Sequence, residues 1–400
     1  MYKLLRRLAG ISVFYSFANS IEALSPFLLA IILTRLMMPE DYGIWVLFVS
    51  LVAFLRPVVN LTIQDALKMH FYEMDRSRLA TFVVSAFYLS LGSALVLGVL
   101  AVVFRDSLSS AVKFPAAWII AIVVTAFLYV NLYFILAYNQ FAEKRRHFVT
   151  LQVVQSLIGF SAITLLVWLG WNWQGVVMGK MVGLFVACLV GIAWIAGDLK
   201  LDLRAHDRQQ IKELVKFGLC YLPTGLGLVA VPLTDRLIIS HILGLGENGL
   251  YGVAALFGSA LFIAINGFLH AWMPWLFQLP VMGVVFYVVA VIAAPFLIGA
   301  SFSNAFGLIP WAVAGTVSMG YFYHNQAFLH FKKAVLPMSV SSLNCIVMNI
   351  VLSYYGALYY GVAGVLAATI AAYTISAVTS GLFIVMDYKL VGSLRRAFAR

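Results

Sequence analysis

The sequence predicts an all-α polytopic membrane protein with about twelve transmembrane helices in two six-helix bundles. Composition is the first reason: of 400 residues, 63% are hydrophobic and 10% are charged, whereas soluble chains average about 45–50% apolar and about 25% charged residues. The second is a series of apolar segments of about 20 residues, the length that crosses a bilayer as a helix. The third is an internal repeat. Together they exclude a soluble enzyme, a disordered chain and a secreted disulfide scaffold.

The apolar segments define the predicted spans. The first follows three cations, as a signal peptide would, but it is too long for a signal core, carries Glu22 at its middle and lacks a small-x-small cleavage site. We therefore interpret it as a retained span. The predicted spans are 11–34, 43–64, 81–104, 116–138, 149–170, 176–197, 217–240, 250–272, 279–300, 305–327, 335–356 and 362–386.

The distribution of Lys and Arg predicts the orientation of these spans. With the N-terminus inside, 20 of the 26 cations fall in inside segments, three outside and three within spans. Because cytoplasmic loops carry the excess of Lys and Arg, this bias predicts that both termini are cytoplasmic. The net charge of +11 is thereby explained by topology rather than by nucleic-acid binding.

The same pattern predicts the domain organisation. Residues 1–197 form an N-terminal six-helix half and residues 217–386 a C-terminal six-helix half. Between them, residues 198–216 resemble a short amphipathic helix at the cytoplasmic surface. Residues 387–400 form a basic cytoplasmic tail.

An internal repeat supports the two halves. Ile31–Trp45 aligns with Leu237–Tyr251 at an offset of 206, which pairs Gly43 with Gly249. A weaker match aligns Trp171–Gly179 with Tyr360–Ala368 at an offset of 189. The second half therefore lacks about 17 residues, which we assign to the short hairpin at 273–278. Such repeats are common in secondary transporters, whose binding site lies between the halves near the midplane.

Motifs for other chemistries are missing from the sequence. It has no nucleotide-binding P-loop, no H-E-x-x-H and no G-x-S-x-G. Its three cysteines form no C-x-x-C pair, and no histidine pairs at metal-ligand spacing. We therefore predict no metal site, no cofactor and no enzymatic activity, which leaves transport or a membrane scaffold.

Polar residues inside predicted spans are the candidate functional residues, because a charge at the bilayer centre costs about 2.5–3.5 kcal/mol and needs a partner or a wet cavity. Two sets lie at helical spacing: Asn19 with Glu22, and Arg56 with Asn60 and Gln64. The alternative for the charged members is a buried ion pair, such as Glu22 with Arg56. For Lys180, near a span end, snorkelling is an adequate explanation. The substrate-cavity candidates are Arg56, Asn60, Gln64, Arg236, Asn19 and Lys180, and the ion-coupling or pairing candidates are Glu22, Asp235 and Asp65.

Several stretches resemble the bacterial O-antigen and capsule flippases of the polysaccharide transporter branch, in the superfamily that also holds multidrug and toxin extrusion antiporters. They are LTRLMMPEDYGIW (33–45), NLTIQDALKMHFYE (60–73), the run from LVKFGLCYLP to GVAALFG (214–258) and LYYGVAGVLAATIAAY (358–373). By motif, the resemblance assigns importance to Arg56, Asn60, Gln64, Asp65, Asp235 and Arg236. Relatives usually have a longer charged stretch after the A-W-x-P-W motif than this chain has at 271–275.

The resemblance implies two bundles around a V-shaped central cavity in the bacterial inner membrane. It also implies transfer of an undecaprenyl-diphosphate-linked oligosaccharide to the periplasmic leaflet by alternating access, with coupling to a proton or sodium gradient. The implied partners are the lipid-linked oligosaccharide, the bilayer, and polysaccharide polymerase and chain-length machinery.

Three alternatives remain open on the sequence alone. A cation-coupled drug antiporter on the same fold would favour an anionic cavity, whereas the charged residues within the spans sum to a slight cationic excess. A membrane-embedded glycan polymerase or ligase would be expected to carry a large periplasmic loop, which the predicted topology lacks. A non-transporting scaffold is the third alternative, because of the contracted hairpin.

Overall fold

A computed structural model of the chain describes residues 25–61, 63–202, 207–271, 279–332 and 334–398. The described residues form helices and turns and contain no strand. The α-helices are α1 (Ser25–Leu36), α2 (Pro39–Asn60), α3 (Ile63–His70), α4 (Arg76–Val103), α5 (Arg105–Val112), α6 (Ile119–Phe141), α7 (Arg145–Leu166), α8 (Asn172–Leu199), α9 (Arg208–Ile242), α10 (Leu245–Ala271), α11 (Leu279–Leu297), α12 (Ile309–Phe331) and α13 (Val335–Phe398). Short 3₁₀ helices (Phe71–Glu73, Ala116–Trp118, Ala300–Leu308) and one π-helical turn (Val167–Trp171) join some of them.

Helix α13 is a hairpin of two spans rather than one rod. Its 64 residues would extend about 96 Å as a straight helix, about three times the roughly 30 Å hydrocarbon core. The chain turns at Gly361, where φ is 61° and ψ is −146°. On either side of this turn, a Cβ atom added at Gly356 or Gly364 would overlap the backbone of the other glycine. Residues eight apart cannot touch along one helix, so residues 335–360 and 362–398 pack antiparallel.

Helices α7 and α8 form the equivalent hairpin. The turn includes Gly170 with φ 88° and Asn172 with φ 40° and ψ −133°. At the predicted offset of 189, Asn172 corresponds to Gly361, which has nearly the same unusual backbone conformation. The match supports the weaker of the two repeat alignments, whose residues showed little side-chain identity.

The fold class predicted from the sequence is confirmed. Six helical stretches of the described residues are long and apolar enough to cross a membrane: Pro39–Asn60, Arg76–Val103, Ala116–Phe141, Arg145–Leu199, Ala300–Leu329 and Leu336–Met386. Two of these are the hairpins, and Ser25–Leu36 and Gly283–Leu297 are shorter apolar helices. Each predicted span overlaps a helix in its described residues, but the span at 43–64 runs past the end of α2 at Asn60, and only residues 25–34 of the first span are described. The short hairpin at 273–278 lies outside the described residues.

The chain divides into two compact units. The first contains Ile44–Val229 together with the residues up to Met37, and the second contains Ala230–Arg400 together with Met38–Gly43. The boundary falls inside α9. The segment predicted as a separate amphipathic linker, 198–216, provides the last two residues of α8 and the first turns of α9.

A reciprocal contact within the second unit lies at the stronger repeat alignment. A Cβ atom at Gly43 would overlap the carbonyl oxygen of Leu245, and one at Gly249 would overlap the carbonyl oxygen of Pro39. The offset of 206 pairs Gly43 with Gly249 and Pro39 with Leu245, so the two contacts are equivalent under the repeat. Asn248 adds a hydrogen bond by donating its side-chain amide to the Gly43 carbonyl over 2.9 Å.

We predict that Gly43→Ala destabilises the protein strongly. The added methyl group meets two backbone segments that must both move, and overpacking of this kind costs about 1–3 kcal/mol or more. The measurement is the thermal unfolding midpoint of the purified protein. Gly92→Ala is the matched control, because nothing lies within 4 Å of its added Cβ. Gly92→Ala should leave the unfolding midpoint unchanged or raise it. Equal midpoints for Gly43→Ala and Gly92→Ala would argue against the close contact at Gly43.

Candidate functional site

A cationic cluster lies among the membrane-spanning helices of the first unit. Arg56 of α2 places its guanidinium carbon 5.2 Å from the ring centroid of Tyr129 and 5.4 Å from that of Tyr133. Lys180 of α8 places its ammonium 5.2 Å from the centroid of Tyr129. The two tyrosines are one turn apart on α6 and are stacked, with centroids 5.8 Å apart. Three helices therefore bring two cations to one pair of aromatic rings.

The cluster carries positive charge that the described residues do not neutralise. Arg56 and Lys180 make no salt bridge with any described carboxylate. Contact with an aromatic face stabilises a cation by about 0.5–2 kcal/mol, which is less than the cost of placing a charge inside the bilayer. All four side chains are half-buried. The arrangement is suited to an anion that adds charge-assisted hydrogen bonds to both cations.

The structure corrects the predicted alignment of Arg56, Asn60 and Gln64 on one helical face. Helix α2 ends at Asn60, and Leu61 has a left-handed φ of 45°. Gly218 of α9 lies so close that a Cβ there would overlap the Leu61 carbonyl. Only Arg56 and Asn60 therefore share a face. Gln64 and Asp65 belong to the separate helix α3.

Lys180 lies well inside helix α8 rather than at its end. It lies eight residues inside the first residue of α8, about 12 Å along the helix axis. Its ammonium contacts the same Tyr129 ring as the Arg56 guanidinium, so these two candidate residues lie close together. The sequence analysis missed both tyrosines, although their i, i+4 spacing in a span was visible.

The second unit holds a fully buried carboxylate, that of Asp235 in α9, which has no solvent exposure. Four side chains lie within hydrogen-bonding distance of it. Asn349 donates to Oδ1 over 3.0 Å and Ser353 over 2.9 Å. Thr369 donates to Oδ2 over 2.7 Å and Tyr251 over 3.0 Å. These donors satisfy the buried charge, which would otherwise cost several kcal/mol.

Helix geometry explains this arrangement. Asn349 and Ser353 lie one turn apart on the first arm of α13, and Thr369 lies on the second arm beyond the turn at Gly361. Tyr251 comes from α10. Thr234, next to Asp235, donates to the Asn349 side-chain oxygen over 2.9 Å and so orients that amide.

Oxygen atoms dominate the surroundings of Asp235. The hydroxyls of Ser353, Thr369 and Tyr251 meet the carboxylate there, and the Val365 carbonyl lies 3.0 Å from the Thr369 hydroxyl as an alternative acceptor. Hard cations prefer such oxygen ligands. Sequence reasoning selected Asp235 and missed Tyr251, Asn349, Ser353 and Thr369, because neutral polar residues are common in membrane helices.

Three predicted site residues remain: Arg236, Asn19 and Glu22. Arg236 lies where its charge interacts with Tyr251, Tyr42 and Asp235. Asn19 and Glu22 lie outside the described residues, so their predicted roles stay predictions. Among the described residues, no three His, Cys, Asp or Glu side chains come together as a metal site would require.

Comparison with known proteins places the chain in a family. The family model described as "Polysaccharide biosynthesis protein" matches residues 32–276, which is more than half of the chain and includes both Arg56 and Asp235. The chain belongs to this family. The resemblance noted from the sequence is thereby confirmed. No curated protein matches the chain.

Solved structures show that the chain shares its fold with known membrane transporters. It is similar to an inward-facing multidrug resistance MATE family transporter of the MOP superfamily, with a TM-score of 0.73 at 14% identity over 92% of this chain and 95% of that one. It is also similar to the lipid II flippase MurJ in an inward closed conformation, with a TM-score of 0.69 at 14% identity over 94% and 87%. A MOP superfamily transporter from Pyrococcus furiosus matches with a TM-score of 0.58 at 14% identity over 94% of each chain.

Proposed function

We propose that this protein is a flippase that moves a polyprenyl-diphosphate-linked oligosaccharide across the membrane for polysaccharide biosynthesis. The observation that carries the proposal is the pair of cations, Arg56 and Lys180, held on stacked tyrosines within membrane-spanning helices. Because the chain belongs to a polysaccharide biosynthesis family, we propose that its substrate is a precursor of a polysaccharide. The similarity to a lipid II flippase supports the same kind of task.

A diphosphate fits the cluster better than a single carboxylate does. Both cations lie 5.2 Å from the centre of the same Tyr129 ring and so are at most about 10 Å apart, which favours an anion with oxygens at both ends over one with a single carboxylate. Arginine binds phosphate through paired N–H donors, and lysine adds a point charge. Neutralising the two cations offsets the cost of moving the diphosphate through a medium of low dielectric constant.

The charge of this cluster opposes the leading alternative. An exporter of cationic drugs needs carboxylates or exposed aromatic faces at its binding site. Here cations cover the aromatic faces, so a positively charged ligand would meet like charge. The cluster therefore favours a flippase over a drug antiporter.

We further propose that Asp235 binds the coupling cation, sodium or a proton. The hydroxyl oxygens that donate to Asp235 also carry lone pairs, so they can turn to coordinate sodium. Alternatively, a proton on Oδ2 can be donated to Thr369, whose hydroxyl then donates to the Val365 carbonyl. Both states keep the buried polar atoms satisfied, as a coupling site requires.

Cells that lack the protein test the proposed function. The polyprenyl-linked glycans are extracted, identified by mass spectrometry and tested on intact spheroplasts with a membrane-impermeant reagent. We expect a lipid-linked oligosaccharide to accumulate in a form shielded from the reagent, since it remains on the cytoplasmic leaflet. Accumulation of a lipid-linked oligosaccharide that reacts with the reagent would mean that the protein acts after translocation, for example in polymerisation or ligation. No accumulation, with altered dye efflux, would support the drug antiporter.

A further inference from the structure

The first unit contains a partly open apolar cavity of about 260 Å³, built on helices that also carry the cationic cluster. Helices α2, α3, α4, α6 and α8 contribute to its wall. Val83, Ala86, Phe134 and Ile195 are among its lining residues, and each of them is buried. Its wall is almost entirely apolar, and it is open on one side, so a hydrocarbon chain can enter it.

The wall of the cavity presents hydrocarbon even where polar residues line it. Asn131 donates its side-chain amide to the Phe127 carbonyl over 2.8 Å. Ser90 donates to the Phe87 carbonyl over 2.9 Å. These groups therefore bond to their own helices or, between the Ser90 hydroxyl and the Asn131 side-chain oxygen at 3.5 Å, to each other. A sugar in this space would leave several hydroxyls unpaired, at a cost for each, so the cavity suits a hydrocarbon chain rather than a glycan.

The cavity and the cationic cluster are built from the same helices. Asn60, which lines the cavity, follows Arg56 by one helical turn on α2, or about 5.4 Å along the axis. Val130 and Phe134 line the cavity and directly follow Tyr129 and Tyr133 on α6. A molecule with an anionic head on the cluster and an apolar tail attached to it can therefore occupy both places.

One buried polar atom lies on the side of the cavity nearest Arg56. The Oδ1 atom of Asn60 is buried without a hydrogen-bond partner in the part of the chain that the structure describes, and the residue is 7% exposed. Such unsatisfied groups are rare in native proteins.

We propose that this cavity binds the first isoprene units of the lipid carrier, next to the diphosphate. The inference rests on the proposed function, and it adds that the protein recognises the lipid as well as the charge of its substrate. An apolar cavity of about 150 Å³ accommodates benzene. By that measure, 260 Å³ holds roughly ten carbon atoms, or about two isoprene units.

The test uses the purified full chain in lipid nanodiscs and two soluble probes, inorganic diphosphate and geranyl diphosphate. Their dissociation constants are measured by calorimetry. Geranyl diphosphate should bind at least about tenfold more tightly than inorganic diphosphate, because its ten carbons leave water. This gain in affinity from the geranyl chain is the signature of the cavity.

Val83→Trp fills the cavity and is the diagnostic variant. It should retain the wild-type affinity for inorganic diphosphate and lose the gain from the geranyl chain. Val99→Trp is the matched control, since Val99 lies on the same helix with 63% of its surface exposed and should keep the gain. Ala86→Leu adds less volume and should reduce the gain partially, so it replaces Val83→Trp if that variant does not fold.

The outcomes separate this inference from the proposed function. If wild-type protein binds both probes equally, or if Val83→Trp and Ala86→Leu keep the gain, the cavity does not bind the isoprenoid. If native mass spectrometry finds a phospholipid bound to the wild type and not to Val83→Trp, with no gain from the geranyl chain, the occupant is an ordinary acyl chain and the inference is wrong. If neither inorganic diphosphate nor geranyl diphosphate binds, the proposed function is wrong as well.

Discussion

Replacing Arg56 with alanine should reduce flipping about 10- to 100-fold while leaving the protein correctly folded. A hydrogen bond to a charged group contributes about 1.5–3 kcal/mol, and every 1.4 kcal/mol corresponds to about tenfold. Export in cells that carry the variant, normalised to its amount in the membrane, is the measurement. Arg56→Lys should be intermediate, because it keeps the charge and loses the paired donors.

The stability of this variant distinguishes a substrate-binding role from a structural one. Removing the guanidinium removes the cost of placing a charge in the bilayer, about 2.5–3.5 kcal/mol. It also removes the cation–π contacts, which stabilise the protein by about 0.5–2 kcal/mol each. Because Arg56 makes two such contacts, gain and loss nearly cancel, and we expect the unfolding midpoint of Arg56→Ala to stay close to that of the wild type. Impaired folding with normal export per folded molecule would mean that Arg56 is structural.

Arg105→Ala is the matched control for Arg56→Ala. Arg105 has 62% of its side chain exposed and lies 3.6 Å from the Asp106 carboxylate. An exposed pair of this kind contributes about 0–1 kcal/mol. Its removal should change neither export nor stability. Equal losses in the two variants would argue against a specific role for the cluster.

Asp235→Asn should abolish gradient-driven transport and leave slow equilibration of the substrate. The replacement has nearly the same shape but removes the charge that would attract a cation. It also brings an N–H₂ group among four donors, and leaving one of them unsatisfied costs about 1–3 kcal/mol. The measurement is transport by reconstituted protein under an imposed sodium gradient and, separately, under an imposed pH gradient.

The control for this variant is another Asp-to-Asn change. Asp198 forms a 2.7 Å salt bridge with Lys144 in the first unit, where its side chain is 22% exposed. Asp198→Asn should retain the response to the gradient that drives the wild type. If Asp235→Asn responds as the wild type does to both gradients, Asp235 does not couple transport to an ion. The gradient that drives the wild type also decides between sodium and a proton.

Much of the fold could be predicted from the sequence, because each span must satisfy its backbone hydrogen bonds within itself. Helix positions follow from that constraint and from the length of the apolar runs. The details that the sequence did not predict depend on tertiary contacts. The α2–α3 break is an example: Pro57 lies within α2, but the helix continues to Asn60 and ends where Gly218 approaches Leu61.

The site was less predictable than the fold. Charged residues inside spans are rare, so Arg56, Lys180 and Asp235 could be selected directly. Their partners are tyrosines and small polar residues, which occur throughout membrane helices for packing alone. Only the three-dimensional contacts show that Tyr129 serves two cations and that Asn349 and Thr369 converge on one carboxylate.

The most direct test of the central claim is flipping in proteoliposomes that contain only this protein and a fluorescent polyprenyl-diphosphate-linked oligosaccharide. A membrane-impermeant quencher added outside reports the fraction of substrate in the outer leaflet over time. We predict that wild-type protein makes the inner pool accessible and that Arg56→Ala does so about 10- to 100-fold more slowly. Wild-type protein that leaves the inner pool protected, under every imposed gradient, would contradict the account.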